Sequence, residues 1–191
     1  DDNGEVPQFS DVEGSSYAAA ILALGARGVI GGFLDGTFRP ALPVARQQFA
    51  KMIVKALRLT VTGTEVCPFS DVDPVQGSDP FYPDKYVAVC AAAGITKGVT
   101  ATAFNPYGNI TREQLVSMVV RGAGLSEPPA VFQPPFSEAQ FSSEEHYLNA
   151  SKAAYAGLLT GLQGVDQQFD FSASASRGEC AQLLFNLVGR N

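Results

Sequence analysis

The chain has 191 residues, 46% of them apolar, enough to bury one sizeable core, and no stretch has the low-complexity composition of a disordered region. Its formal net charge is −6 with only 13 lysines and arginines, which argues against nucleic acid as a partner, because neutralising phosphates needs a basic stripe. The longest apolar stretch, Tyr17 to Phe33, is interrupted by Arg27 and by spread glycines, so no membrane insertion is expected.

In chain order, residues 1–8 are expected to be a tail. It begins Asp1-Asp2-Asn3 without methionine, which leads to the expectation that a leader, either a signal peptide or a tag, has been removed and that the protein is exported. The triplet Phe9-Ser10-Asp11 leads to a helix over about 17–27, capped by Ser15 or Ser16 and stopped by Gly28. Ala20, Ile21, Leu24 and Val29 form its inward stripe. A turn through Asp35-Gly36 follows, with Phe38 and Arg39 as a short extended piece. A second helix over about 43–57 begins at Pro43, where a missing N–H is harmless, and turns Phe49, Met52, Ile53 and Ala56 inward.

Phe69-Ser70-Asp71 starts the same order again: a helix near 83–93 stopped by Gly94, a Pro106-Tyr107-Gly108-Asn109 turn, then a helix from Thr111 to about Arg121. Leu115, Val116, Met118 and Val119 are its apolar face. Phe136-Ser137-Glu138 opens a third pass, with a helix near 143–156 and then Gly157. A glutamine-rich turn two residues longer than the others leads to a final helix over about 176–188, striped by Cys180, Leu183, Leu184 and Leu187.

Three copies of one pattern therefore fill the chain, at 9–60, 61–125 and 126–191. Each places a phenylalanine eight residues before an arginine that opens a helix: Phe38 and Arg46, Phe104 and Arg112, Phe169 and Arg177. The linkers between copies are too short to separate independent domains. A single helix pair cannot bury both its faces, so the expected fold is all-α, mainly helical with short extended turn segments, with the arginine-headed helices at the centre. Three helix-loop-helix repeats of this kind favour closure into a pseudo-threefold bundle; an open solenoid satisfies the same pattern.

A helix start carries partial positive charge and prefers acids, so an arginine recurring there points to an anion held nearby. In an acidic molecule such an anion is not steered from afar and must be captured locally, by guanidinium forks and free helix-start N–H groups. The competing reading is structural, each arginine pairing with an acid of the next copy, for instance Arg46 with Asp71. Cys67 and Cys90 suit a disulfide closing a modest loop, while three unrelated buried thiols, Cys180 included, fit the same spacing. No cysteine or histidine spacing suits a metal, and no cofactor is expected.

The Phe-Ser-Asp-Val segments at Phe9 and Phe69, the turn Asp35-Gly36-Thr37-Phe38-Arg39-Pro40 and the segment Thr111-Arg112-Glu113-Gln114 together resemble S-layer homology repeats, from Phe9 to about Val188. The resemblance implies a three-module bundle that binds a secondary cell-wall polysaccharide, often a pyruvylated acidic one, and holds an exported protein at the cell surface. It also implies that Arg46, Arg112 and Arg177, with Asp11 and Asp71, line grooves between modules. Where family members carry a tryptophan near the first helix, counting back from the glycine finds Ser16, Tyr82 and Glu145 here, so Tyr82 is the aromatic candidate.

An enzyme is the rival class, yet the single histidine, His146, sits in a polar helix start, and no nucleophile elbow, zinc-binding His pair or phosphate loop is present. His146 reads as an ordinary surface residue. No large region follows the third copy, so the expectation is either an anchor excised from a longer protein or a subunit of a surface lattice or filament, a homo-oligomer joined edge to edge.

Overall fold

Each copy folds as two helices, and the residues at their ends explain where they start and stop. The computed structural model describes residues 8–75 and 77–190. In these, α1 spans Ala18–Ala26, α2 Arg46–Ala56, α3 Asp84–Ala92, α4 Arg112–Ala123, α5 Glu144–Tyr155 and α6 Arg177–Val188, with one short 3-10 turn at Glu138–Gln140. Thr111 and Ser176 cap α4 and α6, their hydroxyls accepting the N–H of Gln114 at 3.3 Å and of Glu179 at 3.2 Å. Ala45 has no hydroxyl to offer, and there the side-chain oxygen of Gln48 reaches back to the Ala45 N–H at 3.1 Å.

Gly28, Gly94 and Gly157 follow the outer helices at φ 65°, 69° and 73°, the left-handed region that ends a helix and that a Cβ disfavours. At Gly94 nothing lies within 4 Å of where a Cβ would stand, so substitution there is opposed by the backbone alone. Gly94→Ala is expected to lower stability by about 1 to 2 kcal/mol, with Gly94→Asn milder, as read from urea unfolding midpoints.

The extended pieces lie just before the arginines, at 43–45, 109–111 and 174–176, and they close the molecule. Val44 N–H donates to Ala175 O at 3.2 Å, Ala175 N–H to Ile110 O at 2.8 Å, and Ile110 N–H to Val44 O at 2.9 Å. Each copy thus donates once and accepts once around a ring, and all three residues are fully buried. Antiparallel bridges Pro43 with Ser176, Ala45 with Asn109 and Thr111 with Ser174 flank it. The ring selects the closed pseudo-threefold bundle over the open solenoid. It also corrects two expectations: Pro43 precedes α2 instead of starting it, and Phe38-Arg39 is not extended, since Arg39 sits at φ 59°.

Outer helices pack on the arginine-headed helix of the preceding copy, α3 on α2, α5 on α4 and α1 on α6, while α2, α4 and α6 touch one another in the middle. The expected inward stripes are buried in all four helices for which they were specified, and Phe38, Phe49, Phe104, Phe171 and Leu183 are fully enclosed. Because each copy completes its neighbour's core, no copy buries its apolar faces alone.

The Cys67–Cys90 bridge is not formed, and all three cysteines are free thiols. Cys90 lies on the face of α3 that meets α2, its Sγ 3.6 Å from Ala50 O, and burial pushes its pKa up to about 12.

Candidate functional site

The three arginines reach out of their own copies. Each guanidinium lies over the phenylalanine of the next copy around the ring: Arg46 is 4.7 Å from the Phe104 ring centre, Arg112 4.4 Å from Phe169, and Arg177 4.3 Å from Phe38. The fixed offset of eight residues in sequence is therefore a contact between copies and not within one. Backbone follows the same route. Arg46 N–H donates to Gly108 O at 2.9 Å, Arg112 N–H to Ala173 O at 2.9 Å, and Arg177 N–H to Leu42 O at 2.8 Å. The following residues, Gln47, Glu113 and Gly178, donate to Pro106, Phe171 and Pro40 in turn. These helix-start N–H groups, expected to be free for an anion, are saturated by carbonyls of the neighbouring copy, and the guanidiniums alone remain.

The guanidiniums differ in what they face. Arg46 donates from Nε to Phe104 O at 2.7 Å and from Nη1 to the side-chain oxygen of Gln114 at 2.8 Å. Burial lowers its pKa to about 10, which leaves it charged at neutral pH. Arg177, half-buried, donates from Nε to Phe38 O and from Nη2 to Gly31 O, both at 2.7 Å. Neither has a carboxylate within ion-pair distance among the described residues. Arg112 does: Glu179 Oε1 accepts from its Nε at 2.9 Å and its Nη2 at 2.7 Å, with Asp170 O at 3.1 Å from Nη1.

One sequence offset controls this difference. The residue two places after each arginine lies toward the arginine of the preceding copy: Gln114 accepts from Arg46, Glu179 accepts from Arg112, and Gln48 borders the crevice it shares with Arg177. Two amides leave the facing charge intact, while the third position carries a carboxylate that cancels it. The difference is visible in the sequence, but its meaning depends on the contact between copies.

Two related crevices open beside the uncancelled arginines. Arg177 borders one of about 450 Å³ with Gly31, Gln48, Lys51, Lys55 and Tyr82. Lys51 pairs with Asp79 at 2.6 Å, with its Nζ 5.5 Å from the Tyr82 ring centre, whereas Lys55 makes no ion pair among the described residues. Arg46 borders one of about 240 Å³ with Lys97, Gln114, Arg121, Glu145 and His146. Arg112 borders a different hollow, of about 540 Å³, together with Tyr17, Pro40 and its own partner Glu179. Tyr82 thus joins Arg177 across a groove built from all three copies, and an acidic chain concentrates positive charge there.

Asp11 and Asp71 border none of these hollows. Asp11 accepts the N–H groups of Phe38 and Arg39, both at 2.7 Å, and Asp71 those of Phe104 and Asn105, both at 2.8 Å. Each pins the left-handed residue after its own copy's phenylalanine, Arg39 or Asn105 at φ 57°. The Arg46–Asp71 pair considered from the sequence is not made at ion-pair distance; both Asp71 oxygens accept backbone N–H groups, and its charge acts on Arg46 only from further away. In the third copy Glu138 has no such role, and Gln140 Nε2 holds the turn by donating to Asp166 O and Phe169 O.

Burial works against the Asp71 carboxylate, but the N–H groups of Phe104 and Asn105 outweigh it and hold its pKa below the ordinary value of 3.8. A depressed folded pKa stabilises fully above the ordinary value, and that contribution is lost as pH falls through the lower, folded one. Asp71→Asn is therefore expected to lower the urea midpoint at pH 7, with the gap to wild type shrinking at pH 3.

A family model described as the S-layer homology domain matches residues 8–50 and 68–116, the first two copies. The S-layer protein EA1 of Bacillus anthracis is 32% identical over 180 residues, covering 92% of this chain and 19% of that protein. An endoglucanase of Bacillus sp. (strain KSM-635) is 28% identical over 182 residues, covering 94% of this chain and 18% of the enzyme. A cellulosome-anchoring protein of Acetivibrio thermocellus is 30% identical over 117 residues, 59% of this chain and 25% of that protein. The chain spans about a fifth of the length of the first two relatives. With two matched copies and near-complete alignment to an S-layer protein, the chain belongs to the S-layer homology family.

Proposed function

We propose that the chain is a non-catalytic anchoring module that holds a protein at the bacterial cell surface by binding an acidic, pyruvylated cell-wall polysaccharide in the grooves headed by Arg177 and Arg46. The observation that carries this is the pair of guanidiniums that border crevices and donate only to neutral oxygens. A planar fork suits a carboxylate, and a charge already offset by carbonyl dipoles rather than by an anion keeps its attraction for one. Tyr82, opposite Arg177, offers an aromatic face to a sugar ring.

The same segment occurs in relatives named as an S-layer protein, an endoglucanase and an anchoring protein, which supports a task separate from any of those larger activities. Sugar hydroxyls exchange bonds with water at little net gain, so firm attachment comes from two grooves engaging one polymer. The test is co-sedimentation with purified cell-wall sacculi before and after mild acid removal of pyruvyl groups. The protein is expected to pellet with intact walls and stay in solution with stripped ones; equal pelleting with both would overturn the proposal.

A further inference from the structure

The Arg46 crevice holds a titratable side chain that has no counterpart beside Arg177. His146, in the first turn of α5, lines it with Arg46, Lys97 and Arg121. Its Nδ1 lies 2.7 Å from the hydroxyl of Ser117 on α4, and Asn149 Nδ2, almost one turn further along α5, donates to the same oxygen at 3.2 Å. Ser117 is fully buried and Asn149 nearly so. This relay fixes the imidazole from behind and leaves Nε2 without a protein partner among the described residues.

The charges around the ring come from every element packed on it. Helix α4 brings Glu113 and Arg121, α5 brings Glu145, α2 brings Arg46, and the loop after α3 brings Lys97. Both carboxylates are engaged elsewhere. Glu113 accepts the N–H and hydroxyl of Ser142, and Glu145 Oε1 accepts from Lys97 at 2.5 Å and Arg121 at 2.9 Å. An anion entering beside Arg46 would therefore meet an oriented imidazole edge with no acid bonded to it.

We propose that His146 is a ligand contact of the Arg46 groove whose protonation tightens its grip on a carboxylate, so that this groove holds acidic carbohydrate more strongly as pH falls. The proposal rests on the groove reading above and adds a residue and a pH response to it. Burial holds the free imidazole below its ordinary value of 6.5, with Glu113 opposing, so it is neutral at pH 7 in the empty groove. A carboxylate beside it favours the imidazolium. Affinity must then rise as pH falls through the pKa of the liganded imidazole and level off once the empty groove is itself protonated.

His146 is the chain's single histidine, so its ring C–H resonances in NMR report this titration without assignment. The probe is a methyl glycoside carrying a pyruvyl ketal, compared with the same glycoside lacking it. With the ketal present the imidazole is expected to titrate about one pH unit higher, equivalent to roughly tenfold tighter binding to the protonated form. The pyruvyl-free glycoside should leave it unmoved, and His146→Gln should bind the ketal with no such rise between pH 7.5 and 5.5. Ketal binding with an unmoved imidazole, or an undiminished rise in His146→Gln, would overturn this proposal alone. No binding by wild type at any pH would overturn the anchoring reading with it.

Discussion

Phe104→Ala is expected to lower stability by about 3 to 5 kcal/mol, the range for truncating an enclosed aromatic ring, as measured by urea unfolding. The ring is fully buried, lies 5.5 Å from that of Phe69 in its own copy, and floors the guanidinium of Arg46 from the preceding one. Its removal opens a cavity where two copies meet, and the loss extends beyond one module because outer helices pack on their neighbours. The same substitution should weaken wall binding under conditions where the protein is still folded, since Arg46 loses the surface that orients it.

The second large effect is on binding. Arg46→Ala or Arg177→Ala is expected to weaken attachment to cell-wall sacculi about tenfold or more, the scale of one charge-assisted hydrogen-bonding partner. Either single variant already forfeits the gain from two grooves on one polymer, and the double variant, with neither guanidinium left, should lose more than a hundredfold. Circular dichroism separates this from unfolding: each variant leaves a carbonyl of the next copy without its donor, a stability cost of about 1 to 3 kcal/mol that a folded domain survives.

Most of the helical frame was legible because apolar periodicity and glycine stops are local signals. The stripes Ala20-Ile21-Leu24 and Leu183-Leu184-Leu187 and the stops Gly28, Gly94 and Gly157 needed no tertiary knowledge. Closure was only half legible: the pattern implied mutual burial, but the ring of Val44, Ile110 and Ala175 is a set of backbone bonds between residues 65, 66 and 131 apart, which side-chain identity does not encode.

The site shows the same division. The arginines and phenylalanines were found as repeated offsets within each copy, yet each arginine contacts the phenylalanine of the next copy. That is why Arg112, which carries the fullest motif, turns out to be the cancelled one, facing Glu179 from the third copy. Asp11 and Asp71 recur for a reason the repeats could not reveal, the two N–H groups each must satisfy behind its phenylalanine. His146 read as an ordinary polar residue because its neighbours in sequence are Glu144 and Glu145, whereas the partner that orients it, Ser117, lies in the preceding copy.

Calorimetric titration of purified acidic wall polysaccharide into Arg46→Ala, Arg112→Ala and Arg177→Ala tests the central claim most directly, because the claim assigns the three arginines unequal roles. Arg177→Ala and Arg46→Ala should each lose affinity, whereas Arg112→Ala should keep near wild-type affinity and lose stability instead, having stranded the Glu179 carboxylate. An Arg112→Ala protein that stays folded yet loses as much affinity as Arg177→Ala, or three variants that all bind like wild type, would contradict the account.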